Sequence, residues 1–290
     1  MSWVFYAITA AVLVSAAVMF EKKSLLREHA MQFSAVLAIV NVVVAFPFLI
    51  VADYSSLNLQ IVIIMFFVSI LGSLAFLFMA KSVRHLEISI SAPLLALSPA
   101  LTAFLGFILL GELLTLVQIS GMGLIVFGSY VITINKNETF THGVLKFFKF
   151  KYYRFILFSI LLYSFASIAD KFLLVTFDLE PMTYVAIMQI FIAFHLFVMI
   201  SLIHRGYKDI FDGFKRARWL ILFVSVCTVG YRVAQTEAIK QAPVGLVIAI
   251  KRMSALIVVA LSGSLFHEKH VFKKLLATLI MILGVVLIVI

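Results

Sequence analysis

Long apolar stretches recur from one end of the chain to the other, and short polar connections separate them. Runs of about 20 apolar residues match the hydrocarbon thickness of a bilayer. Inside that layer no water is available to backbone groups, so each run is predicted to be a helix that satisfies its own N–H and C=O groups. The pattern predicts ten spans, at 3–20, 31–52, 59–80, 88–110, 114–134, 155–177, 182–203, 219–238, 244–266 and 272–290. The longest connection, 135–154, lies at the middle and divides the chain into a first half at 1–134 and a second at 155–290.

Composition agrees with a lipid-bounded fold. Hydrophobic residues make up 64% of the 290 positions and charged residues 12%, too few to coat a soluble domain, in which charged residues reach roughly 25%. Cys227 is the single cysteine, so no internal disulfide can form. The formal charge of +10 would suggest nucleic acid in a soluble protein, but the basic residues fall in short connections between spans, and no nucleic-acid partner is expected. Lys22-Lys23 follow the first apolar run, and Met1-Ser-Trp-Val-Phe has no basic leader region, so a retained first helix is expected.

The two halves repeat one another. Leu110-Gly111-Glu112 followed by Leu124-Ile125-Val126-Phe127-Gly128 matches Phe266-His267-Glu268 followed by Ile280-Met281-Ile282-Leu283-Gly284, and each Glu precedes its Gly by 16 residues. Five spans is an odd number, so a second copy enters the membrane from the opposite side. Such inverted repeats hold a substrate site at their interface and permit alternating access. The expected fold is therefore an all-α integral membrane protein with ten transmembrane helices, as two inverted five-helix repeats around a central cavity.

Connections after the odd-numbered spans, taken with Lys273 and Lys274 at the start of the tenth, hold 18 Lys and Arg, and the opposite face holds one, Lys240. The positive-inside bias places the odd connections in the cytoplasm and both termini outside a cell inner (cytoplasmic) membrane. The linker 135–154 carries the stretch Lys146-Phe-Phe-Lys-Phe-Lys-Tyr-Tyr-Arg-Phe155, which reads as an interfacial anchor and topology signal, or as a contact for anionic lipid headgroups.

Ionisable groups within spans mark function or a partner. Asp170 and Lys171 lie near the end of the sixth span, Arg232 near the end of the eighth, and Lys251 and Arg252 inside the ninth. All five fall roughly 9–12 Å below one membrane face at 1.5 Å per helical residue. One reading is a set of structural ion pairs, Asp170 with Arg232 or Lys251. The other is a cationic layer that receives an anion, the guanidinium fork suiting phosphate or carboxylate. Tyr163, Ser167, Tyr184, Gln189, Tyr231 and Gln235 could line the route, and His195 reads as an interhelical hydrogen-bonding group. Ala92, Ala96 and Ala100 form a ladder for close helix approach, with Pro93 and Pro99 bending the same span. Glu112 and Glu268 read as interfacial turn residues, and Glu237 as a partner of Lys240. The first span shows no acidic residue near its middle.

The two-copy pattern, with Ser98-Pro99 before Gly111-Glu112 and then Gly121-x-Gly123-Leu-Ile-Val-Phe-Gly-Ser-Tyr130, resembles the EamA-type branch of the drug/metabolite transporter superfamily over essentially the whole chain. The resemblance implies a ten-helix inverted-repeat transporter with a central cavity, each half one EamA-like repeat. Most members resembling it have cytoplasmic termini, opposite to the charge count here. Lys251-Arg252 also resembles the phosphate-translocator relatives, which implies a phosphate-binding role for the pair and a further lysine, for which Lys171 is the candidate.

No Walker-type loop, zinc-ligand spacing or nucleophile elbow occurs, and His267, Glu268 and His270 are isolated, so no enzyme activity, metal or cofactor is expected. The expected function is a secondary transporter or flippase for a small anionic, phosphate-bearing metabolite or lipid-linked precursor. The alternative is an exporter of neutral or zwitterionic solutes, amino acids or drugs, with the charges as structural pairs. Expected partners are that substrate, membrane lipids, and a coupling ion such as a proton or an exchange substrate. The substrate-binding candidates are Arg232, Lys251, Arg252, Asp170, Lys171, Tyr163, Tyr231, Gln235, Tyr184 and Gln189.

Overall fold

The computed structural model describes residues 2–113, 115–133, 149–203, 207–268 and 270–289. Most of the 135–154 linker, including Lys146 to Phe148, lies outside them. The described residues are helical: α1 (Ser2–Leu25), α2 (Ala30–Ile50), α3 (Leu59–His85), α4 (Ile88–Leu95), α5 (Ser98–Leu110), α6 (Leu116–Thr133), α7 (Lys151–Thr176), α8 (Pro181–Ile203), α9 (Tyr207–Gln241), α10 (Val244–Arg252), α11 (Ser254–Phe266) and α12 (Val271–Val289). Among the described residues, eight stretches are long and apolar enough to cross a membrane, counting α4–α5 and α10–α11 each as one, and the apolar run of α6 over Leu116–Gly128 is shorter. Large apolar side chains such as Phe46, Ile50, Phe67 and Trp219 are exposed on the helices, as lipid contact requires and a water-soluble surface would not allow.

Several boundaries differ from the sequence pattern. α1 and α3 each run five residues past the expected ends at 20 and 80, because the charged residues that suggested a water boundary sit on continuing helix. The connection expected at 204–218 is helical from Tyr207 as the first part of α9. The spans expected at 88–110 and 244–266 are each two pieces. At the first joint, Ala96 N donates to Pro93 O and Leu97 N to Leu94 O, tight i→i+3 bonds, and Pro99, which has no N–H to give, starts the next piece. At the second, Met253 N donates to Ile250 O at 3.0 Å without any proline or glycine at the joint.

Packing couples the two halves closely. α1 lies on α9, α3 on α7, α2 on α8, α5 on α10, α4 on α11 and α6 on α12. The α6–α12 crossing depends on glycine. A Cβ at Gly284 would lie 2.5 Å from Gly121 O, and one at Gly128 2.9 Å from Ala277 O. Ala92 and Ala96 of the alanine ladder are buried against α11 and α10, in clusters with Ala255 and Ala249 respectively. Ring contacts gather at the start of α7: Tyr152 stacks on His85 with centroids 4.0 Å apart, and the Lys81 and Lys151 ammonium groups lie over the Phe155 ring at 5.6 and 5.7 Å.

Candidate functional site

A cavity of about 100 Å³ opens among α1, α2, α3, α4, α5, α7, α8, α9 and α10, so both halves contribute to its wall. Of the ten candidate residues, Arg232, Lys251, Arg252, Asp170, Tyr163, Tyr231, Gln235 and Gln189 line it. Each arrives on a helix whose other face is buried in the apolar core. Asp170 shares α7 with buried Leu173 and Leu174, and Lys251 ends an α10 whose Val247, Ile248 and Ala249 are buried.

The joint in the ninth span explains the position of Lys251 and Arg252. They occupy the last turn of α10, where carbonyl groups and the helix dipole favour positive charge. Lys251 Nζ donates to Gln235 Oε1 at 2.5 Å and sits 5.8 Å from the centroid of the Tyr231 ring, a cation–π arrangement. Arg252 Nε donates to Ser98 Oγ at 2.9 Å. Ser98 opens α5 at the joint of the other half, so the two interrupted helices meet through this bond. Both cations thus hydrogen-bond to neutral groups.

Arg232 differs. Its Nη2 lies 3.5 Å from Asp170 Oδ2, and Asp170 is only 1% exposed. Tyr184 Oη donates to Asp170 Oδ1 at 2.6 Å. Of the two pairings the sequence allowed, Asp170 takes Arg232. Tyr184 is thus a buried support behind the carboxylate and does not line the cavity.

Lys171 is a correction. Adjacent residues on a helix point about 100° apart, and Lys171 turns away from the cavity. Its Nζ donates to Ile239 O at 2.9 Å and Ala242 O at 2.8 Å, capping the end of α9. Glu268 is another. It is not a simple interfacial turn residue: its carboxylate accepts from Ile88 N at 2.6 Å, from Ser89 N at 2.9 Å, and from Ser89 Oγ, across the boundary between halves. Lys240 makes its close ion pair with Asp178 at 2.6 Å, and its charge also acts on Glu237. His195 Nε2 lies 3.2 Å from Phe66 O, an α8–α3 contact. Among the described residues no three His, Cys, Asp or Glu side chains gather as a metal site.

Sequence reasoning missed Glu21. Because α1 continues to Leu25, Glu21 is inside the helix bundle, 2% exposed and lining the cavity. Its Oε2 has no hydrogen-bond partner among the described residues, and neither do Asn41 Oδ1 and Thr228 Oγ1 in the same wall. The signal was the dyad itself. Glu21-Lys22 repeats Asp170-Lys171, and Lys22 Nζ donates to Val83 O and Leu86 O at 2.6 and 2.7 Å, as Lys171 does to the matching carbonyls of α9.

The comparisons with known proteins agree with this architecture. The model of the EamA-like transporter family matches residues 1–134 and again 150–290. No curated protein matches the sequence. A solved structure described as "Crystal structure of protein" superimposes with a TM-score of 0.69 at 13% identity, covering 99% of this chain and 96% of its own, a likeness of fold alone. A multi-pass helical membrane protein with matches in both halves to one transporter model has one place: the chain belongs to the EamA-like transporter family.

Proposed function

We propose that the chain carries a small anionic, phosphate-bearing metabolite or lipid-linked precursor across the inner membrane by alternating access. It does so with ten transmembrane helices arranged as two inverted repeats, 1–134 and 155–290, joined by the linker 135–154, and with both termini outside. The observation that carries this reading is the state of Lys251 and Arg252. Both line the cavity, and their hydrogen bonds go to neutral groups, Gln235 and Ser98. Asp170 is committed to Arg232 and Tyr184. Desolvated cations held by neutral acceptors leave a favourable place for an anion. Gln189, Gln235, Tyr163 and Tyr231 supply polar edges and aromatic walls around that place. Lys171 and Tyr184 support the site from outside it.

Two observations favour the second reading, an exporter of neutral or zwitterionic solutes. Arg232–Asp170 is a buried pair of the structural kind, and Glu21 adds a negative group to the same cavity. Transport in proteoliposomes separates the two. If the anion reading holds, Lys251→Gln and Arg252→Gln, inserted and folded, lose anion uptake by about tenfold or more, since a charged hydrogen bond contributes about 1.5–3 kcal/mol. Unchanged uptake in both variants would remove it.

A further inference from the structure

Two kinds of polar contact recur in the halves, and they behave differently. Contacts within a half are present twice. Lys22 caps α3 at Val83 O and Leu86 O, and Lys171 caps α9 at Ile239 O and Ala242 O, carbonyls 156 residues further on. The cap that one half places on a helix start of the other is present once among the described residues. Glu268, just after α11, bonds the N–H groups of Ile88 and Ser89 that open α4. The matching residues are Glu112 just after α5 and Val244 and Gly245 opening α10, each also 156 residues from its counterpart. That second bond is not made: among the described residues no hydrogen bond joins Glu112 to Val244 N or Gly245 N, and the Glu112 carboxylate folds back over Gly106 of its own helix.

The local geometry for the missing bond is in place. Gly111 and His267 both end their helices in the left-handed conformation, with φ of 69° and 54°, so each turns the following Glu the same way. Leu110, two residues before Glu112, packs in the same core cluster as Val244. A Cβ on Gly245 would lie 2.9 Å from Ala103 Cβ, so the α10 start is pressed onto α5.

We infer that Glu268 and Glu112 are positioning residues that latch the two ends of the bundle in turn: Glu268 on Ile88 and Ser89 when the cavity faces the Glu112 side, and Glu112 on Val244 and Gly245 when it faces the other. The inference rests on the alternating-access reading, and not on the charge of the substrate. The two latches are unequal in a way that sets the resting state. Lys274 adds an ion pair to Glu87 and a 2.8 Å bond to Ser89 Oγ. The positions matching Lys274 and Glu87 in the other half are Gln118 and Pro243, which cannot form an ion pair. The Glu268 latch is therefore the stronger one, and it is the latch closed here, while the Glu112 end is held by the apolar packing of Leu110, Val244 and Gly245 and not by its own latch. In that state the N-terminal dipole of α4 holds a carboxylate, while that of α10 awaits one.

The test is side-specific labelling of a cavity cysteine, Ala166→Cys on a Cys227→Ser background of the full chain. A membrane-impermeant maleimide is applied to intact cells and to inside-out vesicles, and the ratio of the two rates reports which end is open. No substrate is needed, so a wrong assignment of the anion leaves this measurement intact. Glu268→Gln and Lys274→Met are each expected to shift the ratio toward the Glu268 side, the former about tenfold or more. Glu112→Gln shifts it the opposite way, and the Glu268→Gln/Glu112→Gln double variant returns close to the parent. A purely structural cap would lower thermal stability and raise labelling equally from both sides. That result, an unchanged ratio, or shifts of the same sign for Glu268→Gln and Glu112→Gln would overturn the inference.

Discussion

Replacing Asp170 by asparagine changes little in shape and removes the negative charge that faces Arg232. The carboxylate is 1% exposed, accepts the Tyr184 hydroxyl proton at 2.6 Å and faces Arg232 at 3.5 Å. Breaking a buried pair from one side costs about 3–5 kcal/mol, because the remaining charge loses its counterion. Arg232 is 18% exposed toward the cavity, where water can take part of that load, so the expected loss is roughly 2–3 kcal/mol. The asparagine oxygen can still accept from Tyr184, which limits the damage there to the difference between a charged and a neutral hydrogen bond. Reversible unfolding in mixed micelles measures this. The double variant Asp170→Asn/Arg232→Gln should recover most of the loss, since no unpaired charge remains, and a double-mutant cycle yields the coupling between the two groups. If Asp170→Asn unfolds at the parent's denaturant concentration, or the double variant is worse than the sum of the singles, the pair does not hold the second half together.

Three other outcomes follow from single observations. Glu21→Met removes a buried carboxylate with an unpartnered oxygen, and should raise stability by about 1–3 kcal/mol in the same assay; a loss of stability would mean that Glu21 is held by a group the cavity wall does not show. Gly284→Val places methyl groups against Gly121 O at the α6–α12 crossing, and should cost about 1–3 kcal/mol of overpacking, with parent-like melting as the contrary result. His267→Gly relieves a left-handed residue and should raise the melting temperature, by about 1 kcal/mol of backbone strain, while leaving the Glu268 cap formed.

Much of this fold was readable in the sequence because lipid imposes a simple rule: a helix that spans must be apolar over its whole length. The repeat was equally legible, since Glu112 with Gly128 and Glu268 with Gly284 carry the same spacing for two physical reasons, a turn that positions a carboxylate and a glycine that admits a neighbouring helix. Where the reading failed, the rule was applied too literally. Glu21-Lys22 looked like the water boundary of the first span, yet the helix continues and buries both, the lysine by bonding free carbonyls at the end of α3. Lys171 was grouped with Asp170 by sequence, although one step along a helix rotates a side chain away from its neighbour. The joint at Met253 carries no proline or glycine and left no local mark. Glu268 acts on residues 179 and 180 positions away, a partnership that only the three-dimensional packing of the halves creates.

The most direct test concerns the sign of charge that the cavity accepts. A detergent-solubilised thermal-shift series with matched pairs of compounds, each sugar phosphate beside its unphosphorylated sugar, reads binding without requiring the direction of transport, since a ligand that favours the folded protein raises its stability. The phosphorylated member of at least one pair is expected to raise the melting temperature, and the gain should vanish in Lys251→Gln/Arg252→Gln. Equal stabilisation by the neutral member, or a phosphate-dependent gain that survives in that double variant, would contradict an anion held by Lys251 and Arg252.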